Sequence, residues 1–99
     1  MELFLNDGNF DVNVIDVRDL QDGGIQYLYK FDNGYGASVV KRIGSYGHEE
    51  DLWELAVIKF YGDDGNDWGL VYDTKINPDV IGYLSDNDVQ EILSGIKNL

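Results

Sequence analysis

The run Ile25-Gln26-Tyr27-Leu28-Tyr29-Lys30-Phe31-Asp32-Asn33-Gly34-Tyr35-Gly36-Ala37-Ser38-Val39-Val40-Lys41-Arg42 decides the fold. Its two halves are rich in Tyr, Val, Ile and Phe, residues that suit a pleated, half-buried surface, and they flank Asp32-Asn33-Gly34. Asn-Gly is the preferred pair for a two-residue type I′ turn, so the run predicts an antiparallel hairpin of residues 25–31 with 35–42. With Asn33-Gly34 as the loop, Asp32 faces Tyr35, Phe31 faces Gly36, Tyr29 faces Ser38 and Tyr27 faces Val40. One sheet face then carries a row of aromatics, and Gly36 makes room for the Phe31 ring. Leu28, Ala37 and Val39 fall on the other face, and a hairpin apolar on both faces belongs in the middle of its sheet.

Upstream, residues 3–5 and 10–17 flank Asn6-Asp7-Gly8-Asn9, whose Asp-Gly pair signals a turn and hence a first hairpin. Downstream, residues 52–61 read Leu-Trp-Glu-Leu-Ala-Val-Ile-Lys-Phe-Tyr, apolar on both faces, which predicts another central strand. An acidic loop, Gly62-Asp63-Asp64-Gly65-Asn66-Asp67, leads into residues 68–72, where alternation puts Trp68, Leu70 and Tyr72 on one face and closes a third hairpin. The period then changes. Asn77-Pro78 is a helix-start pair, but Gly82 limits any helix there to a turn or two. Ser85 caps the main helix, with Asp88 standing in for the Glu of a capping box. Val89, Ile92, Leu93 and Ile96 recur at helical spacing and leave Asp86, Gln90, Glu91 and Lys97 for solvent. The expected fold is therefore α+β in a single domain spanning 1–99: an antiparallel β-meander of about five to six strands with the C-terminal helix packed on one face.

Composition narrows the function classes. The 99 residues hold 19 acids against 7 bases, a formal net charge of -12. At 43% hydrophobic and 13% aromatic the chain can bury a core, which separates it from a disordered acidic tail. Asp outnumbers Glu, and Asp closes turns with its side chain, so much of this charge belongs in loops. There is no Cys and a single His, which rules out disulfides, cysteine-ligated zinc and multi-histidine metal clusters. Met1 to Asp7 lacks the basic start and long apolar run of a signal peptide, and no stretch reaches membrane-spanning length, so a cytoplasmic protein is expected. The charge repels nucleic acid and anionic lipid and attracts basic surfaces; neither direct nucleic-acid binding nor a membrane partner is expected.

Three places could carry chemistry. The loop from Asp63 to Asp67 clusters carboxylates and glycines, yet no register supplies an EF-hand ligand set, so no metal and no cofactor are assigned. Residues 33–48 form a long stretch free of acids, with Lys41, Arg42, four glycines and His48. Backbone amides in glycine-rich turns can cradle an anion, which makes Tyr35, Lys41, Arg42 and His48 an alternative site for a small anionic ligand or nucleotide. No phosphate-loop or dinucleotide pattern strengthens it. His48 beside Glu49, Glu50 or Asp51, with Ser38 or Ser45 as nucleophile, is the acid-base set available; nothing in the spacing makes these converge, so no catalytic residue is assigned. The third place is the acidic surface itself, with Glu49, Glu50, Asp51, Asp63, Asp64 and Asp67 as candidate contacts for a basic protein.

Gly34-Tyr35-Gly36-Ala37-Ser38-Val39-Val40, Ser45-Tyr46-Gly47, Leu52-Trp53-Glu54-Leu55-Ala56-Val57, Tyr72-Asp73-Thr74 and Asp79-Val80-Ile81-Gly82-Tyr83-Leu84 resemble a group of small uncharacterised proteins encoded by tailed bacteriophages. The similarity runs over roughly residues 30 to 93. It implies a phage accessory protein acting in the bacterial host cytoplasm, and it brings no catalytic motif or ligand onto named residues. The resulting expectation is a non-enzymatic protein that binds a host or phage protein through its acidic surface and inhibits a nucleic-acid-handling or defence system in the manner of a DNA mimic. A virion structural role is a further alternative, and edge strands with apolar character on both faces would suit a homodimer.

Overall fold

The computed structural model describes residues 5, 7–20, 23–41, 52–62, 67–70 and 81–99. Among these residues, a 3-10 turn at Asp11–Asn13 precedes six strands, β1 (Val14–Asp19), β2 (Ile25–Lys30), β3 (Tyr35–Lys41), β4 (Trp53–Tyr61), β5 (Asp67–Leu70) and β6 (Ile81–Leu84), followed by the helix α1 (Asp86–Lys97). All pairings are antiparallel in the order β1-β2-β3-β4-β5, and β6 also pairs with β4. β5 faces Ile58 to Tyr61 and β6 faces Trp53 and Leu55, so both share one edge of the nine-residue β4. The meander with a helix on one face is thus the observed fold, and the β2–β3 hairpin lies inside the sheet as its two apolar faces require.

The hairpin register differs from the expected one. Phe31 N–H donates to the Tyr35 carbonyl at 2.8 Å and Gly34 N–H to the Phe31 carbonyl at 3.1 Å, so the loop has three residues, Asp32-Asn33-Gly34. Gly34, at φ +86, takes the left-handed position that such a bulged loop needs. The shift by one residue sets Tyr29 opposite Ala37, Tyr27 opposite Val39 and Leu28 opposite Ser38. Ala37 and Val39 therefore join the aromatic row instead of opposing it. Gly36 lies opposite Lys30, and the ring it accommodates is that of Phe60: a Cβ on Gly36 would stand 2.7 Å from that ring and overlap the Tyr29 carbonyl oxygen.

Other local expectations divide in the same way. Asp11–Asn13 forms a 3-10 turn where the sequence predicts a strand, and β1 starts at Val14. Gly8 and Asn9 are both left-handed, as the Asp7-Gly8 turn signal requires, while the strand at residues 3–5 falls, apart from Leu5, outside the described residues. Gly82 lies within β6, a strand that the helix-start pair does not announce; Asn77-Pro78 and Tyr72 are outside the described residues.

The core lies between the sheet and α1. Tyr29, Ala37, Val39, Trp53 and Leu55 meet Val89, Leu93 and Ile96, all fully buried, and Leu5, Phe10, Val14, Tyr27, Tyr35 and Ile92 pack around them. Ser85 caps α1 by accepting from the Asp88 N–H while the Asp88 side chain accepts from the Ser85 N–H. Trp53 fixes the same end from the sheet side, its indole N–H donating to Asp86 Oδ1 at 2.9 Å. At the other end Asn33, from the hairpin loop, donates to the carbonyls of Ile96 at 2.8 Å and Lys97 at 3.1 Å. The helix end is thus capped by a residue 63 positions away.

Candidate functional site

The face of the sheet turned away from α1 has a different character. Cross-strand pairing lays Arg18, Gln26, Val40 and Glu54 in one row, and Leu28, Ser38 and Ala56 in the next. Beyond these come Ile58 beside Leu70 and Phe60 beside Trp68. Leu28, Ile58 and Phe60 are buried together with Trp68 packed against them. Small residues at the centre of this face, Ser38 and Ala56, leave a depression among larger neighbours. A cavity of about 290 Å³ results, lined by Gln26, Ser38, Val40, Glu54, Leu55, Ala56, Trp68 and Leu70. Gln26 Nε2 donates to Ser38 Oγ at 2.8 Å across its wall.

The described cations lie mainly against aromatic rings. Lys41 Nζ sits 4.5 Å from the Trp53 ring centroid, Lys30 Nζ 5.2 Å from that of Phe60, and Lys59 Nζ 5.2 Å from that of Tyr35. Lys41 is 2% exposed and belongs to the helix-covered face. Arg18 pairs with Asp16 at 2.7 Å on the surface. Asp11, Asp19, Asp32, Asp67, Asp88 and Glu91 are exposed. These exposed carboxylates are dispersed, and among the described residues no three His, Asp or Glu side chains converge on one point.

No protein-family model, curated protein or solved structure matches this chain. The site must be read from its own residues. Of the six candidate acidic contacts, Asp67 is described: it is exposed at the start of β5, its carboxylate turned toward Gly62. Glu49, Glu50, Asp51, Asp63 and Asp64 lie outside the described residues. Of the alternative anion site, Tyr35 and Lys41 are described and Arg42 and His48 are not. Tyr35 and Lys41 are the first and last residues of β3, about 20 Å apart along a strand, and are not brought together. Ser38 lines the cavity; Ser45 lies outside the described residues. Sequence reasoning did not single out Gln26, Glu54 and Trp68 as a group, since their convergence with Ser38 depends on the register of four strands. No helix among the described residues is long and apolar enough to cross a membrane.

A buried polar pair lies on the helix side of the sheet. Tyr29 donates its hydroxyl hydrogen to Asp7 Oδ2 at 2.9 Å, with both residues buried, tying the N-terminal segment to the core. Burial first, and then the hydrogen bond to Asp7, push the Tyr29 phenol far above its ordinary range.

Proposed function

We propose that this protein is a non-enzymatic phage accessory protein that binds a basic surface of a host or phage protein in the bacterial cytoplasm and inhibits a nucleic-acid-handling or defence system. The observation that carries this reading is where the cations go. Lys41 is buried against the Trp53 ring, whereas Asp11, Asp19, Asp32, Asp67, Asp88 and Glu91 are exposed, so acids dominate the described surface of a chain whose formal net charge is -12. Such a surface steers a basic partner toward it and repels DNA and anionic lipid. The phage resemblance supplies the setting, and dispersed carboxylates supply the DNA-like character.

The test is capture from host lysate at low and high salt, using the protein and two variants: Asp63, Asp64 and Asp67 changed to Asn, and Glu49→Gln with Glu50→Gln and Asp51→Asn. The expected result is a specific basic partner whose affinity falls as salt rises and falls again in either variant. A partner bound with affinity indifferent to both salt and the substitutions would refute the electrostatic reading.

A further inference from the structure

We infer that the cavity on the open sheet face is a pocket for one arginine side chain of the basic partner, an inference that rests on the proposed function for its partner and on the cavity for its site. The cavity is bipolar. Glu54, Val40 and the Gln26 amide form one end, and Trp68 and Leu70 line the other, with Ala56 between. Glu54 and Ile58, the latter beside Leu70, are separated by about 13 Å along β4, so whatever fills this space is elongated. Its ionisable lining residue is an acid. Among the described residues, the cations of this face are Arg18, paired with Asp16, and Lys30, over the Phe60 ring.

A long basic side chain matches each of these features: its cation meets the carboxylate and its aliphatic stem lies on Val40, Ala56 and Leu70. Guanidinium fits better than ammonium. Its planar fork can give two hydrogen bonds to Glu54 and one to the Gln26 amide oxygen, since Gln26 spends an N–H, not its carbonyl, on Ser38. A carboxylate has about four acceptor positions, so Glu54 can take this head beside the contacts it already makes. Arginine anchored in a pocket is also a common source of interface affinity.

The full chain titrated with N-acetyl-arginine amide, N-acetyl-lysine amide and N-acetyl-norleucine amide, followed by NMR, tests the assignment without any partner. The expected result is saturable shifts at the Trp68 indole, the Gln26 side-chain amide, Ser38 and Ala56, strongest for arginine and absent for norleucine. The buried Trp53 indole serves as the folding control. Glu54→Gln weakens arginine binding by about tenfold, and Ala56→Leu, which fills the cavity, abolishes saturation. No saturable shift, equal binding of lysine or norleucine, or unchanged affinity in Glu54→Gln would overturn it. Arginine amide binding without a captured protein refutes the proposed function alone; a captured basic partner without arginine amide binding refutes the pocket alone.

Discussion

The two faces of this sheet are built from the same strands and used differently. On the helix side, Tyr29, Ala37, Val39, Trp53 and Leu55 close against Val89, Leu93 and Ile96 with no residual exposure. On the other side, Leu28, Ile58 and Phe60 are packed too, but Gln26, Ser38 and Glu54 interrupt the apolar surface around a cavity. A sheet needs one sealed face to be stable. Polar and small residues on the second face are then tolerated by the fold, and they leave on that face a cavity that the first lacks.

The difference breaks most visibly at Leu93. Leu93→Ala removes fully buried methyl groups from the centre of the helix contact and is expected to cost about 3 kcal/mol, read by urea denaturation. Leu70→Ala, at a side chain 46% exposed at the rim of the cavity, should cost less than about 1 kcal/mol. Equal losses would mean that the open face is as much a core as the other.

Tyr29 offers a second contrast, this time through pH. Tyr29→Phe leaves the buried Asp7 carboxylate without its donor and should cost about 2 kcal/mol near neutral pH. The phenol's raised pKa means that the unfolded chain releases this proton first. Stability from this group is fully present below about pH 10, the unfolded value, and declines as pH rises above it. Chemical denaturation between pH 8 and 11 should show a shallower alkaline decline for Tyr29→Phe than for the parent, and parallel curves would refute the assignment.

The helix ends show which features are legible without the structure. Ser85 and Asp88 are three residues apart, and their reciprocal cap can be read from the sequence because all its atoms are local. Asn33 reads locally as half of a two-residue turn. It instead caps Ile96 and Lys97, and no local pattern encodes a partner 63 residues away. The same Asn-Gly pair accounts for the one-residue difference in register, because a three-residue loop with Gly34 left-handed uses the same residues as a type I′ turn. That difference puts Ala37 and Val39 on the opposite face from the one expected and hides the cavity, which depends on Ser38 standing beside Ala56. Lys41 reads in sequence as part of an anion site; it is instead buried, with its ammonium against Trp53 on the neighbouring strand. Asn33→Ala should therefore cost about 1 to 2 kcal/mol by thermal denaturation, at least as much as Ser85→Ala at about 1 kcal/mol.

The smallest expected effect is the most informative about the open face. Glu54 stands half-buried at the end of the cavity on a strand whose other face is core. If its place there serves binding, the fold does not require its charge. Glu54→Gln keeps the shape, removes one acid from a chain at -12 and so relieves a little self-repulsion. Its stability should stay within about 0.5 kcal/mol of the parent, shifting slightly upward at low salt and toward zero difference at high salt. A loss well beyond that would mean that the contacts Glu54 already makes hold the fold, and the functional distinction between the two faces would then end at this residue.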